Sequence, residues 1–97
     1  MYRITGGRGS GKTYRLLEMA NEHKGIVICS NPMAMRTKAR SLGFTDIADF
    51  VSYKDSLNYH YERNSFIDEL EKYAQEIFGM RNNLVAYTYT FEEENEN

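Results

Sequence analysis

The chain has 97 residues, of which 41% are hydrophobic, and a formal net charge of −2. This length allows one domain with one core, and it excludes a separate substrate domain beside a nucleotide-binding core. The slightly acidic balance argues against a protein that coats nucleic acid, and no apolar run is long enough to predict a membrane segment. The single cysteine, Cys29, excludes an internal disulfide and predicts a cytoplasmic location with this side chain buried in a strand.

The most specific feature of the sequence is the octapeptide at residues 6–13, which matches the pattern G-x-x-x-x-G-K-[ST] in full. Glycines allow such a loop to curl around a phosphate so that several backbone N–H groups converge on it. The spacing predicts that Lys12 contacts the terminal phosphates, that Thr13 places its hydroxyl on Mg²⁺, and that a helix starts near Gly11. The predicted nucleotide-binding residues are Gly6, Gly7, Arg8, Gly9, Ser10, Gly11, Lys12 and Thr13.

The segments on either side of the loop have the order that a phosphate-binding loop requires. Residues 2–5 form a short β-compatible run that we expect to be a strand. Residues 14–23 carry apolar side chains at helical spacing, and the Lys24–Gly25 pair is typical of a helix end. The sequence therefore predicts strand, loop and helix in succession.

Two further strands and a helix are predicted in the middle of the chain. Residues 26–29 form a continuous apolar run, which is typical of a parallel strand buried on both faces. Ser30 or Asn31 is expected to cap a helix that has Pro32 in its first turn and ends at Gly43. A strand is predicted over residues 48–52, followed by a polar, tyrosine-rich loop with about one helical turn.

A second chemical signal follows the apolar residues Phe66 and Ile67, where the sequence continues with Asp68 and Glu69. An aspartate at the carboxyl end of a strand can hold Mg²⁺ through its water shell, and a following glutamate can polarise an attacking water. The alternative is a helix start with acidic residues in its first turn. Both interpretations are compatible, because an apolar stripe predicts a helix directly afterwards. The stripe consists of Leu70, Tyr73, Ala74, Ile77 and Phe78.

The end of the chain combines a predicted strand with an acidic tail. Residues 84–91 alternate aromatic and β-branched side chains and give the strongest strand prediction in the sequence. Thr88 and Thr90 are either polar residues that contact a γ-phosphate or the exposed positions of a half-buried strand. Residues 92–97 are rich in glutamate, and we expect them to be a disordered, solvated tail.

Together, the loop at residues 6–13 and the later Asp68–Glu69 pair make this chain resemble the P-loop NTPases of the catalytic-glutamate (ASCE) division. That division includes recombinases, helicases, AAA+ proteins and viral packaging ATPases, and the octapeptide is similar to loops of phage terminases and helicases. The resemblance implies one α/β domain over residues 1–91, with three layers and a mostly parallel sheet of four or five strands. It also implies that Lys12 and Glu69 are catalytic, that Thr13 and Asp68 serve Mg²⁺, and that ATP or ADP is the ligand.

Other site types are less compatible with the sequence. Translation-type GTPases need N-K-x-D and D-x-x-G motifs, and neither string occurs. His23 and His60 are isolated from each other and from Cys29, so no zinc site is predicted. A basic helix segment is formed by Arg36, Lys38 and Arg40. These residues either contact a binding partner, which would be nucleic acid or an acidic protein, or form a solvated helix face.

Two functional hypotheses follow from these predictions. The first is a minimal ATPase that acts as a subunit or accessory of a DNA-handling assembly of the phage type, together with a protein partner or further copies of itself. The second is a nucleotide-binding interaction protein, such as a phage-type regulator or inhibitor of a host system, in which ATP stabilises the fold or switches a surface. Glu69 favours the first hypothesis. The absence of a recognisable arginine finger in the sequence favours the second.

Overall fold

The computed structural model describes residues 2–59, 62–79 and 84–88 of the chain. These residues form, in order, α1 (Lys12–Glu22), β1 (Ile26–Cys29), α2 (Pro32–Ser41), β2 (Asp49–Ser52), α3 (Tyr53–Ser56), β3 (Ser65–Ile67) and α4 (Leu70–Gly79). The predicted α/β class is confirmed. Within the described ranges, none of the helices has the length and apolar character needed to cross a membrane.

The three strands form one parallel sheet in the order β2-β1-β3, so that β1 lies in the centre. Cys29 at the end of β1 is in register with Ser52 at the end of β2. On the other side, Ile28 is in register with Ile67, and the N–H of Asp68 donates to the carbonyl of Ile28 at 2.9 Å. The carboxyl ends of all three strands therefore reach the same edge of the sheet, with Asp68 one residue beyond β3.

Helices cover both faces of this sheet. Successive residues of β1 point to opposite faces, and all four are buried, which shows that both faces are covered. One face carries α1 and α2, and its core consists of Leu17, Ala20, Val27, Cys29 and Ala39. The other face carries α3 and α4, and its core consists of Ile26, Ile28, Val51 and Tyr53, with Tyr73 and Ile77 packed against them. The three-layer arrangement and the burial of Cys29 thus agree with the sequence-based prediction.

The predicted strand before the loop is wrong. Residues 2–7 have no regular secondary structure, and the sheet contains three strands in the described ranges rather than four or five. Tyr2 is 54% exposed, and only Ile4 in residues 2–5 is aliphatic. Because β-propensity mainly reflects side-chain packing on a sheet, such a short run gives little support for a strand without a partner.

The strand predicted at residues 84–91 is also wrong for the part that the structure describes. Residues 84–88 form no strand, and Val85 is 85% exposed. The hydroxyl of Tyr87 donates to Oε1 of Glu71 at 2.6 Å, which places this segment beside α4. Thr90, the predicted tail at residues 92–97 and His60 lie outside the described residues.

The apolar stripe of α4 is only partly used in the core. Tyr73 and Ile77 pack against the sheet, whereas Leu70 is 64% exposed and Phe78 is 60% exposed. A stripe of five apolar residues is wider than the contact that the three-stranded sheet provides. The helix itself is correctly predicted, but its buried face is narrower than expected.

The predicted helix ends agree with the structure except at α1. The side chain of Asn31 accepts from the N–H of Ala34 at 3.1 Å and caps α2 as predicted. After α1, however, the left-handed residue is Lys24, with φ 51°, and not Gly25. Gly25 is needed for space, because a Cβ there would lie 2.5 Å from the carbonyl oxygen of Asn64 and 2.6 Å from Cε1 of Phe66. The glycine thus lets β1 and β3 approach each other at their start.

We predict that Gly25→Ala destabilises the protein. The added Cβ meets a backbone oxygen that participates in the sheet, so relief requires a backbone shift, and overpacking of this kind costs roughly 1–3 kcal/mol. Gly79→Ala is the matched control, because a Cβ at Gly79 meets nothing within 4 Å and alanine favours a helix. Thermal unfolding of both variants checks this expectation. Equal melting temperatures for Gly25→Ala and the wild type would contradict the close approach of the two strands.

Candidate functional site

The loop at residues 6–11 is curled, and its glycines have identifiable roles. Gly9 and Gly11 have φ values of 78° and 82°, a left-handed conformation that side chains with a Cβ rarely adopt. Gly6 faces Ser10 closely, since a Cβ at Gly6 would lie 2.8 Å from the Cβ of Ser10. The N–H of Ser10 donates to the carbonyl of Gly7 at 3.2 Å and closes a turn at the tip. The conformation therefore depends on glycine at the positions that the motif specifies and at Gly9.

The loop ends at the amino terminus of α1, which has no side-chain cap. Gly11 is the capping residue, and the first turn contains no acidic side chain. By contrast, α2 and α3 are capped by the side chains of Asn31 and Ser52. The first N–H groups of a helix have no partner within the helix, and together they carry a partial positive charge. The amino end of α1 is thus prepared to accept an external anion.

Lys12 adds a full positive charge beside this helix end. Its Nζ donates to the carbonyl oxygen of Gly6 at 3.1 Å, so the side chain reaches back across the loop. A carbonyl is a neutral acceptor, and a phosphate oxygen would make a stronger, charge-assisted hydrogen bond with the same ammonium group. The ammonium group of Lys12 therefore lies beside the loop, where its hydrogen-bond partner among the described residues is a neutral carbonyl.

Thr13 and Asp68 are in direct contact although 55 positions separate them in the sequence. The hydroxyl Oγ1 of Thr13 donates to Oδ1 of Asp68 at 3.2 Å. This donation leaves the lone pairs of the hydroxyl oxygen available to a cation, and the carboxylate supplies a second oxygen. Mg²⁺ prefers such oxygen ligands and usually completes its six positions with phosphate and water. In the described part of the chain, no cluster of three or more His, Cys, Asp or Glu residues could hold a metal ion.

The carboxyl group of Asp68 is held in a partly buried position that disfavours its negative charge. Burial raises its pKa, the hydrogen bond from Thr13 opposes this effect, and the nearby Glu69 carboxylate raises the pKa further. A partly desolvated carboxylate of this kind is stabilised by a cation.

At this edge, two neighbouring strands lead to helices on opposite faces of the sheet. From β1 the chain continues to α2 on one face, whereas from the neighbouring β3 it continues to α4 on the opposite face. In open parallel sheets, ligands bind where neighbouring strands lead away to opposite faces, outside their carboxyl ends. The contact between Thr13 and Asp68 lies at the end of β3, beside this point.

Glu69, the predicted water-polarising residue, connects β3 to α4 in a left-handed conformation with φ 61°. Its carbonyl accepts from the N–H of Tyr73 at 3.1 Å, and its side chain is exposed. Among the described residues, its carboxylate makes no hydrogen bond or ion pair with the loop. The structure thus brings Thr13 into contact with Asp68 and Lys12 into contact with Gly6, while the role of Glu69 stays a prediction.

Tyr53 is a residue of this site that the sequence analysis missed. It is 2% exposed, and its hydroxyl donates to the backbone carbonyl of Asp68 at 2.7 Å. The available signal was its position: Tyr53 directly follows β2, whose carboxyl end lies at the same edge of the sheet as the ends of β1 and β3. A polar aromatic residue directly after a predicted strand is therefore worth including in such a site.

Arg36 and Arg40 of α2 lie away from this edge, whereas the charge of Lys38 acts on Asp68 and lowers its pKa. Arg36 contacts Oδ1 of Asp49 at 3.2 Å and lies over the ring of Phe50 at 5.2 Å, and it lines a cavity of about 330 Å³ together with Arg40. Asp49 begins β2, so this cavity is near the amino ends of the strands. His23 stacks on Phe66 at 6.0 Å, also at that end.

Comparisons of the chain with protein-family models, with curated proteins and with solved structures give no match. The support for a ligand site comes from the loop, from the uncapped helix and from the contact between Thr13 and Asp68.

We predict that Asp68→Asn raises the melting temperature in EDTA at pH 7. The pKa of Asp68 is raised above its ordinary value of 3.8 in the folded chain, so ionisation of this group destabilises the folded state. The whole of this destabilisation is present at pH values above the folded pKa, and none of it is present well below pH 3.8. Asparagine carries no charge and can still accept from Thr13. The difference in melting temperature should therefore shrink as the pH falls towards 3.8.

The control for this measurement is Asp46→Asn, because Asp46 is exposed and its side chain has no partner among the described residues. We expect no comparable rise for that variant. A lower melting temperature for Asp68→Asn than for the wild type at pH 7 would show that the carboxylate stabilises the unliganded protein.

Proposed function

We propose that this chain binds a complex of Mg²⁺ with ATP or ADP in the loop at residues 6–13, in a P-loop-type domain. The single observation that carries the proposal is the contact of 3.2 Å between Thr13 Oγ1 and Asp68 Oδ1. Thr13 belongs to the predicted phosphate-binding motif, and Asp68 was singled out independently as a predicted ligand for Mg²⁺. Their contact across the fold supports one shared site.

The electrostatics of the site fit a magnesium nucleotide better than a free anion. The loop offers the amino end of α1 and the ammonium group of Lys12 to phosphate oxygens. Asp68 lies a few ångströms from Thr13 and would repel a bare phosphate. A divalent cation between the phosphates and Asp68 resolves this repulsion, because it attracts both groups.

When bound, Mg²⁺ neutralises charge on the β- and γ-phosphates and so favours attack at the terminal phosphorus. Thr13 would hold the ion directly, and Asp68 would hold its water shell. Lys12 would orient the terminal phosphates, and Glu69 would accept a proton from the attacking water. Hydrolysis therefore needs one residue, Glu69, that simple binding does not need.

We expect Lys12→Ala to weaken the binding of Mg-ATP by at least about 2 kcal/mol, roughly 30-fold in Kd, because a charge-assisted contact is lost without a substitute. Isothermal titration calorimetry checks this prediction. Arg63→Ala is the charge-matched control, since Arg63 precedes β3 and thus lies at the opposite end of that strand from Asp68. Equal affinity of Lys12→Ala and the wild type, or an equal loss in both variants, would contradict the site assignment.

The preferred activity is slow ATP hydrolysis within a larger assembly, of which this chain is a subunit or accessory in DNA handling of the phage type. The second candidate is a nucleotide-binding regulator or inhibitor without significant turnover. The exposed side chain of Glu69, which has no contact with the loop in the described residues, is the observation that favours this second candidate.

We predict that Glu69→Gln lowers ATP hydrolysis by about 10² to 10⁴ while Mg-ATP stays bound, because the amide preserves the shape of the side chain but cannot accept a proton. The wild-type rate should rise more than proportionally with protein concentration if a neighbouring copy supplies an arginine, which is worth about 10³ to 10⁵ in rate. Phosphate release measured over a range of protein concentrations checks both points. Identical inactivity of the wild type and Glu69→Gln at every concentration, with nucleotide bound in both, would favour the regulator.

A further inference from the structure

We propose that Tyr53 is a positioning residue for the magnesium-binding end of this site, which it controls by holding the backbone between Asp68 and Glu69. The inference rests on the proposed function, because it assigns to Tyr53 a role in how Mg²⁺ is bound with the nucleotide. The hydroxyl of Tyr53 donates to the carbonyl of Asp68 at 2.7 Å and lies 3.5 Å from the carbonyl of Glu69. A single buried hydroxyl thus contacts the backbone of both predicted functional acids.

The hydrogen bond from Tyr53 lies at the turn between β3 and α4, where the backbone has an unfavourable conformation. Only Asp68 and Glu69 connect β3 to α4, and Glu69 adopts a positive φ of 61°. This conformation is unfavourable for a residue with a Cβ by roughly 1–2 kcal/mol, so it persists only where surrounding contacts hold it. The carbonyl of Asp68 belongs to the peptide group that joins these two residues. A hydrogen bond to that carbonyl therefore restricts rotation of the peptide group between Asp68 and Glu69.

Tyr53 is itself firmly placed. Its ring is 2% exposed, it belongs to the core on the α4 side of the sheet, and it meets the ring of Tyr73 edge to face at 5.5 Å. Tyr73 lies on α4 and donates its N–H to Glu69. The two rings thus support the turn from α3 and from α4 at the same time. Movement of the turn would require a change in this packed core.

The hydroxyl remains a donor under all ordinary conditions. Burial, followed by the nearby carboxylate of Asp68, raises the pKa of Tyr53 to about 12. A protonated hydroxyl has one hydrogen, and the short distance assigns it to the Asp68 carbonyl. With the backbone held in this way and the N–H of Asp68 bonded to Ile28, the side chain of Asp68 is aimed at Thr13.

Tyr53→Phe removes the hydroxyl and keeps the ring, so it tests this role with little change in packing. The quantity to measure is the effect of Mg²⁺ on nucleotide affinity, which is the Kd for ATP in EDTA divided by the Kd with saturating Mg²⁺. We expect Tyr53→Phe to reduce this ratio about fivefold to tenfold, the scale of one lost hydrogen bond. The Kd in EDTA should remain within about twofold, because the Tyr53 hydroxyl bonds to the backbone of Asp68 and Glu69 and not to a residue of the loop.

Tyr73→Phe is the matched control. It makes the same chemical change in the neighbouring ring, and the hydroxyl of Tyr73 has no hydrogen-bond partner among the described residues. This variant should keep the wild-type ratio. Replacement of Tyr53 by 4-aminophenylalanine, which again offers an N–H donor, should restore most of the ratio. A purely structural role would lower the melting temperature of Tyr53→Phe without changing the ratio, so the two roles give different results.

The possible outcomes are separable from those of the proposed function. If Lys12→Ala binds Mg-ATP at least about 30-fold more weakly than the wild type, but Tyr53→Phe has the wild-type ratio, the role of Tyr53 is wrong and the nucleotide site stands. If the wild type itself binds no nucleotide, both are overturned. If Tyr53→Phe is unfolded at 25 °C by circular dichroism, the 4-aminophenylalanine variant decides, because it offers a donor at the same position. Loss of most of the ratio in that folded variant overturns the role, and retention of most of the ratio supports it.

Discussion

The position of Asp68 is the constraint on which the site depends, and three hydrogen bonds define it. Its N–H is bonded to the carbonyl of Ile28, its carbonyl accepts from Tyr53, and its carboxylate accepts from Thr13. These bonds come from β1, from the end of β2 and from α1, which are separate parts of the chain. One residue thus ties the glycine-rich loop at residues 6–13 to the sheet and to the core on its α4 side.

The structural features that disfavour the unliganded state are concentrated around this residue. Asp68 is a partly buried carboxylate with a raised pKa, Glu69 has a left-handed backbone, and α1 begins without a side-chain cap. Each feature costs stability in a small domain that has little to spare. A magnesium nucleotide would compensate two of them, because the metal attracts the carboxylate and the phosphate accepts from the free N–H groups of the helix.

The elements that the sequence predicts correctly are those specified by local chemistry. The capping of α2 by Asn31, the start of α1 after Gly11, and the buried run of β1 depend on neighbouring residues alone. The short runs at residues 2–5 and 84–88 failed as strands because strand formation needs a partner edge, which no local pattern specifies. The narrow buried face of α4 and the role of Gly25 also depend on residues distant in the sequence. Neither the packing of α4 on the sheet nor the close approach of Gly25 to Asn64 could therefore be predicted.

In the candidate site, too, the residues specified by local sequence were predictable and those that depend on tertiary contacts were not. The motif fixed the loop, Lys12 and Thr13, and the strand-end position of Asp68 suggested its proximity to Thr13, since the ends of parallel strands share an edge. The role of Tyr53 could not be predicted without the tertiary structure, because its side chain reaches Asp68 from α3 through the core. The exposed carboxylate of Glu69 shows the limit of a motif: a sequence match assigns a role to a residue without placing its side chain.

The most direct test of the account is a ¹H–¹⁵N correlation spectrum of the protein titrated with ATP and Mn²⁺, which replaces Mg²⁺ and broadens nearby resonances. The account predicts that the signals of Thr13 and Asp68 are broadened at the lowest manganese concentrations, together with those of the loop glycines. Signals near Arg36 and Arg40, at the amino ends of the strands, should remain sharp. Broadening centred on those arginines, or no effect of nucleotide on the signals of residues 6–13, would contradict a magnesium nucleotide held between the loop and Asp68.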